Sequence, residues 1–239
     1  DYDLASGKVN QIIYQQHKGD QFIYKYEYDP DNRLLHVYSG RDLNTLQMDA
    51  ACQYYLHGPL ARSELGDALT GRIVQGSDYS YTLQGWLKGV NGLRLHTVEG
   101  AGTEMGEDGS PLQAPGIHAQ VAGDVLAYTL GYYKDDYTPI GGSGAAAFGI
   151  QYQHPETSYE AVTGKELFNG NISHTACSIA GVDNGLVRGY TYGYDQLSRL
   201  RQVNAHDIGS IAPGAAWSNA SAAEAHKELF EYDANGNII

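Results

Sequence analysis

Phe22, Tyr24, Tyr26 and Tyr28 stand on every second residue, with Ile23, Lys25 and Glu27 between them. Successive side chains of an extended chain point to opposite faces, so the pattern predicts a strand with one aromatic face and one mixed, largely solvated face. Asp29-Pro30-Asp31-Asn32 follows. Asp bonds its own downstream backbone, Pro presets φ for a turn, and Asn tolerates a left-handed conformation. Leu34, Leu35 and Val37 then begin a return strand, so residues 22 to 38 predict a β-hairpin.

The pattern comes back. Tyr190, Thr191, Tyr192, Gly193, Tyr194, Asp195 and the exit Arg199-Leu200 repeat the alternation, the Tyr-Asp pair and the Arg-Leu that follows Asp29 as Arg33-Leu34. Phe230, Tyr232, Asp233, Asn235 and Gly236 repeat it with Asn237 in the arginine position, and Tyr2-Asp3 opens a version one residue longer. Residues 54 to 62, 78 to 91 and 167 to 173 are degenerate copies, and Trp86 between Gly85 and Gly89 is expected to fold back on the sheet. A hairpin unit that recurs along one chain predicts an array.

Between the copies the signals are uneven. Residues 9 to 14 predict a strand and 16 to 20 its turn, while 39 to 50 predict a loop. Residues 52 to 65 predict two short strands about Gly58-Pro59, and 66 to 71 a turn. Tyr79, Tyr81 and Leu83 are expected on one strand face. Residues 97 to 123 carry loop chemistry without periodicity, which predicts a surface excursion. Leu126, Tyr128, Leu130 and Tyr132 alternate as a strand closed by Lys134-Asp135-Asp136. Gly141 to Gly144 form a flexible break, 149 to 152 one more strand, and 207 to 222 an insertion, with a short helix over 220 to 227. The repeat-bearing parts are therefore 1 to 91 and 151 to 239, separated by an insertion-rich region, 92 to 150.

These motifs resemble the YD repeats of the Rhs family, which takes in rearrangement-hotspot proteins, Tc-toxin C components and the related shells of teneurins. The family pattern is a tyrosine strand ending in Tyr-Asp, a short turn with Gly or Asn, and Arg-Leu leading out. It matches at Tyr28-Asp29, Tyr194-Asp195 and Tyr232-Asp233, and more loosely at Tyr2-Asp3. The resemblance implies an all-β fold of stacked antiparallel β-hairpins forming a curved, spiralling sheet. It also implies a structural function, as the wall of a shell that encloses or presents a C-terminal toxin or effector in a secreted or surface-exposed bacterial protein. The expected partners are then the rest of the same polypeptide, its enclosed cargo, and secretion or assembly proteins. On that reading the chain is an internal fragment: it opens inside a Tyr-Asp unit and stops where a return strand should begin. The family's autoproteolytic aspartate lies in an Asp-Pro-x-Gly context that this chain lacks, so that activity does not carry over.

Composition supports many short strands and tight turns, with 20 Tyr and 30 Gly against 4 Phe and 2 Met in 239 residues. The net charge of −13 argues against nucleic acid or an anionic membrane, whose phosphates need clustered Lys and Arg. No apolar run approaches the ~20 residues that span a bilayer. Cys52 and Cys177 are either one disulfide or two buried thiols, the thiols being favoured.

Candidate chemistry is sparse. The 9 His show no paired metal spacing. Asp233 to Asn237 resembles the start of a calcium loop but lacks a closing Glu and coincides with a repeat turn. Asp135 and Asp136 alternate faces in an extended chain, so a solvated turn is expected rather than an acid–base pair. There is no nucleophile elbow and no phosphate-cradling loop. No cofactor, no metal and no catalytic activity are expected. The tyrosine rows have two readings, a sugar-binding surface or sheet cohesion through cross-strand pairs, and repetition at every unit favours cohesion. The alternative function is thus an extracellular recognition module for glycans or cell-surface proteins.

Overall fold

The computed structural model describes residues 1–67, 72–91, 121–137, 165–182, 186–208, 217–219 and 227–239. Among them are thirteen strands: β1 (Gln11–Tyr14), β2 (Phe22–Tyr28), β3 (Leu34–Gly40), β4 (Gln47–Tyr54), β5 (Leu60–Asp67), β6 (Arg72–Tyr81), β7 (Leu87–Val90), β8 (Leu126–Gly131), β9 (His174–Ile179), β10 (Arg188–Tyr194), β11 (Leu200–Ile208), β12 (Trp217–Asn219) and β13 (Lys227–Leu229). Their hydrogen-bonded order is the order of the sequence from β1 to β12, every pairing antiparallel, with β13 also on β11. The fold is all-β, as the alternation predicts. Its helical content among the described residues is one 3-10 turn, Leu43–Thr45, capped by the Asp42 side chain.

The chain divides into two compact units, one of residues 1–78 with 106–124 and one of residues 79–105 with 125–239. In the first unit β1 to β5 and the first part of β6 pair in succession, and Ile73 bridges Val121 in parallel. Among its described residues Ile23, Ile73 and Val121 are buried apolar, and Arg62, Ser77, Asp78 and Asp124 are buried polar or charged.

The second unit buries a different kind of surface. Along β8 the buried positions are Ala127, Thr129 and Gly131; along β9 they are His174, Ala176 and Ser178; along β10 they are Gly189, Thr191 and Gly193. Tyr190, Tyr192 and Tyr194 occupy the half-buried face instead. The expectation of a largely solvated face opposite the aromatic one therefore fails here, where small side chains fill the interior. Small side chains bury little apolar area, at roughly 25 cal/mol per Å², so cohesion has to come largely from the tyrosine rows and from hydrogen bonds.

Several boundaries also differ. Residues 47–50 are strand rather than loop, because β3 presents a pairing edge from His36 to Ser39 that overrides their weak propensity. Leu83 lies in a turn and is fully exposed, not on the strand face of Tyr79 and Tyr81. β12 falls inside the expected insertion and pairs with β11, and Lys227 begins a strand instead of ending a helix. The expected features at 92 to 120 and 141 to 152, and the helix over 220 to 226, lie outside the described residues.

Candidate functional site

The residues that carry the repeat pattern build one turn, used again and again. Asp29 donates its amide to the Arg33 carbonyl at 2.9 Å, and the Asn32 amide donates to the Asp29 carbonyl at 2.9 Å. The same two bonds close Tyr55 to Pro59, Thr82 to Trp86, Asp195 to Arg199 and Asp233 to Asn237. Four residues after each leading tyrosine the backbone turns left-handed, at Asn32 (φ 61°), Gly58 (118°), Gly85 (83°), Ser198 (61°) and Gly236 (88°). In four hairpins this geometry leaves one extra residue, since the pairs Tyr28↔Leu34, Tyr54↔Leu60, Tyr81↔Leu87 and Tyr194↔Leu200 skip Leu35, Ala61, Lys88 and Arg201. A bulge with a left-handed residue is how a hairpin absorbs that extra residue. The first turn is longer: Asp3 donates to Lys8 and Gly7 (φ 70°) donates to Asp3.

The aspartate side chains explain their place. Asp29 Oδ1 accepts the amides of Asp31 and Arg33 at 2.9 and 2.8 Å while Oδ2 takes the Arg33 Nε at 2.7 Å. Asp195 repeats this with Leu197, Arg199 and the Arg199 Nε. Asp233 uses Asn235, Asn237 and the Asn237 side-chain amide, and Asp3 uses Ala5 and Ser6. The Arg199 amide first, and then its guanidinium, hold Asp195 below the usual carboxylate range. The Asn237 side-chain amide does the same for Asp233. These carboxylates are spent on their own turns.

A second set of contacts joins one turn to the next, and the motif alone does not reveal it. Five tyrosines donate their hydroxyls to the carbonyl just beyond the preceding turn. Tyr28 bonds Val9 at 2.9 Å and Tyr54 bonds Leu34 at 2.8 Å in the first unit. Tyr132 bonds Leu87 at 2.8 Å, Tyr194 bonds Ile172 at 2.9 Å and Tyr232 bonds Leu200 at 2.7 Å in the second. The residue in the arginine position lies against the same ring. Arg33 sits 4.7 Å from the centre of Tyr54, Arg199 4.5 Å from Tyr232, and Lys8 6.0 Å from Tyr28. Trp86 takes that place with its ring 5.0 Å from Tyr132, the fold-back its glycine flanks predict. Arg33, Leu34, Arg199 and Leu200 thus act between repeats as well as within one. The signal was present in the spacing: Tyr2, Tyr28, Tyr54 and Tyr81 follow one another at 26, 26 and 27 residues.

Among the described residues two charged clusters are buried. In the first unit Arg62 gives its Nε to Glu64 at 2.8 Å and its Nη1 to Asp78. In the second, Lys88 and Asp136 have side chains 3% and 0% exposed, and Nζ lies 2.7 Å from Oδ1. The other carboxylate oxygen of Asp136 accepts the Tyr132 amide at 2.9 Å. The expectation of a solvated Asp135-Asp136 turn fails for Asp136. Asp135 takes the left-handed turn conformation (φ 59°), which swings its neighbour inward onto a lysine 48 residues away. Burial lowers the Lys88 pKa, opposed by Asp136. His174 is pushed down to about 3, by burial first and the Lys88 charge second, and is therefore neutral. A side chain at Gly131 would place its Cβ 2.0 Å from the His174 ring, so only glycine fits there. Thr191 and His206 share a buried hydrogen bond at 2.8 Å.

An open groove of about 500 Å³ near the first two turns is lined by Asp3, Asn10, Tyr26, Glu27, Asp29 and His36 among others. Its acidic groups are already engaged: Asp3 and Asp29 in their turns, Glu27 with Lys25, His36 and Tyr38. Among the described residues no group of three or more His, Cys, Asp or Glu could hold a metal ion. Cys52 and Cys177 are free, half-buried thiols whose pKa values burial raises.

The fold resembles parts of Tc toxin structures. A Photorhabdus luminescens Tc holotoxin pore containing a TccC3 variant aligns at TM-score 0.35 and 12% identity, over 91% of this chain and 10% of that one. The TcdB2-TccC3-TEV crystal structure aligns at 0.34 and 11%, over 91% and 10%, and the TcdB2-TccC3-Cdc42 structure at 0.28 and 13%, over 79% and 10%. The chain thus spans about a tenth of those chains, and scores of this size do not by themselves assign a family. No family model and no curated protein matches it.

Proposed function

We propose that this chain is a wall segment of a YD-repeat shell in a larger Rhs-type bacterial protein, secreted or surface-exposed, that encloses or presents a C-terminal toxin or effector. Its role is structural, not catalytic, and its partners are the flanking repeats and the cargo. The observation that carries this reading is the handover between turns. The hydroxyls of Tyr28, Tyr54, Tyr132, Tyr194 and Tyr232, the Arg33 and Arg199 guanidinium faces and the turn carboxylates are taken up by contacts within a hairpin or between one turn and the next. Such a strip supplies adhesion along itself and keeps few polar groups for a foreign ligand.

Limited proteolysis of the full-length protein, read by mass spectrometry, tests the proposal. The expected result is a C-terminal fragment that survives while the isolated fragment is digested. Equal digestion of both would overturn it. A single tight sugar ligand on a glycan array would favour a recognition module instead, with the groove near Tyr26 and His36 as its first place to look.

A further inference from the structure

We propose that Lys88 and Asp136 condense to an intramolecular amide, a covalent cross-link between β7 and the turn that follows β8. The two groups that would join are already in hydrogen-bond contact and shut away from water. Each lies where the fold forces it inward: Lys88 at the bulge after β7's turn, a position taken by Leu35, Ala61 and Arg201 in the other hairpins, and Asp136 behind the left-handed Asp135.

The pair also has what an acyl transfer needs. In a site of low dielectric, two opposite charges gain from becoming two neutral groups, and the short Nζ–Oδ1 contact is the path for that proton. Moving it leaves a free amine beside a carboxylic acid. A buried lysine freed of its proton is a nucleophile. Nζ then attacks Cγ, and negative charge collects on Oδ2, where the Tyr132 amide already donates at 2.9 Å. The second proton passes from Nζ to the departing Oδ1 hydroxyl on the same tetrahedral carbon. Oδ1 leaves as water as the C–O bond breaks and the C–N bond remains. An ammonium and a carboxylate become one amide and one water, with no other reactant and no change of oxidation state.

The location gives the link a use. The link closes the chain from Lys88 to Asp136, which includes the long connection from Val90 at the end of β7 to Leu126 at the start of β8. Closing a long loop is entropically costly, and a covalent bond at its base removes that cost from every later opening.

The test is a tryptic digest of the full-length protein after denaturation. A branched peptide joining Lys88 to Asp136, lighter than its two parts by one water, is the expected result, with Lys88 resistant to amine-labelling reagents. Recovery of Lys88 and Asp136 in separate peptides, with Lys88 labelled like other lysines, would overturn the proposal. Because this is read on the unaltered protein, it does not depend on any variant folding.

Discussion

His174 should impose a pH dependence on the second unit that no exposed histidine would. Its folded pKa of about 3 lies below its ordinary 6.5. The unfolded chain therefore takes up the proton first, so stability is complete above pH 6.5 and falls as the pH drops toward the folded value. Each unit of separation is worth about 1.4 kcal/mol, so the loss from pH 6.5 to 4.5 is roughly 2 kcal/mol. The window matters because other groups act lower down. Asp195 and Asp233 are also held below their ordinary 3.8, and their contributions disappear only as the pH falls further. Urea denaturation at half-unit steps between pH 7 and 4.5 is the assay, with Trp86 against Tyr132, the neighbour of Gly131, as the fluorescent reporter. The midpoint should shift to lower urea through this window in the native chain and stay nearly level in His174→Gln. If the variant is unstable, the imidazole carbon shift of the native protein decides, and it should remain neutral to pH 4.5. A glutamine variant with the native slope, or an imidazole that titrates near 6.5, would refute the reasoning.

Further outcomes follow from single contacts. Tyr54→Phe removes one hydroxyl bond and leaves the ring on Arg33, so it should cost about 0.5–1.5 kcal/mol in denaturation, and a neutral result would mean that the Leu34 bond contributes nothing. Ser198→Gly should raise stability by about 1 kcal/mol and Ser198→Val should lower it, because residue 198 has φ 61°. Arg62→Met leaves Asp78 buried beside an apolar group and should cost about 3–5 kcal/mol, read as a lower melting temperature. Gly131→Ala should destabilise the second unit by more than a surface change of the same kind, since its Cβ would overlap the His174 ring.

The parts of the fold that were legible are those in which tyrosine alternates with smaller residues over several positions. β2, β8 and β10 show this, and each is followed by an Asp, Gly or Asn turn that names its own end. β4 and β9 were harder, because Gln47 to Ala50 and His174 to Ser178 have no large apolar residue at alternate positions. Their neighbours recruit them by offering an unpaired edge, which no local pattern records. The turn aspartates were legible for a related reason, since their partners lie within four residues. Asp136 was not. Its partner is remote, and the conformation of Asp135 that turns it inward is a backbone event with no mark in residue type. The tyrosine hydroxyls fall between these cases: a 26-residue interval marks Tyr28 and Tyr54, whereas Tyr132, Tyr194 and Tyr232 keep no such interval, and only the register identifies the carbonyl each one meets.

All five of those hydroxyls reach toward residues earlier in the chain. A polypeptide leaving the ribosome N-terminus first therefore always finds its acceptor already made. For these bonds growth can proceed by adding one layer to another, as bricks are laid.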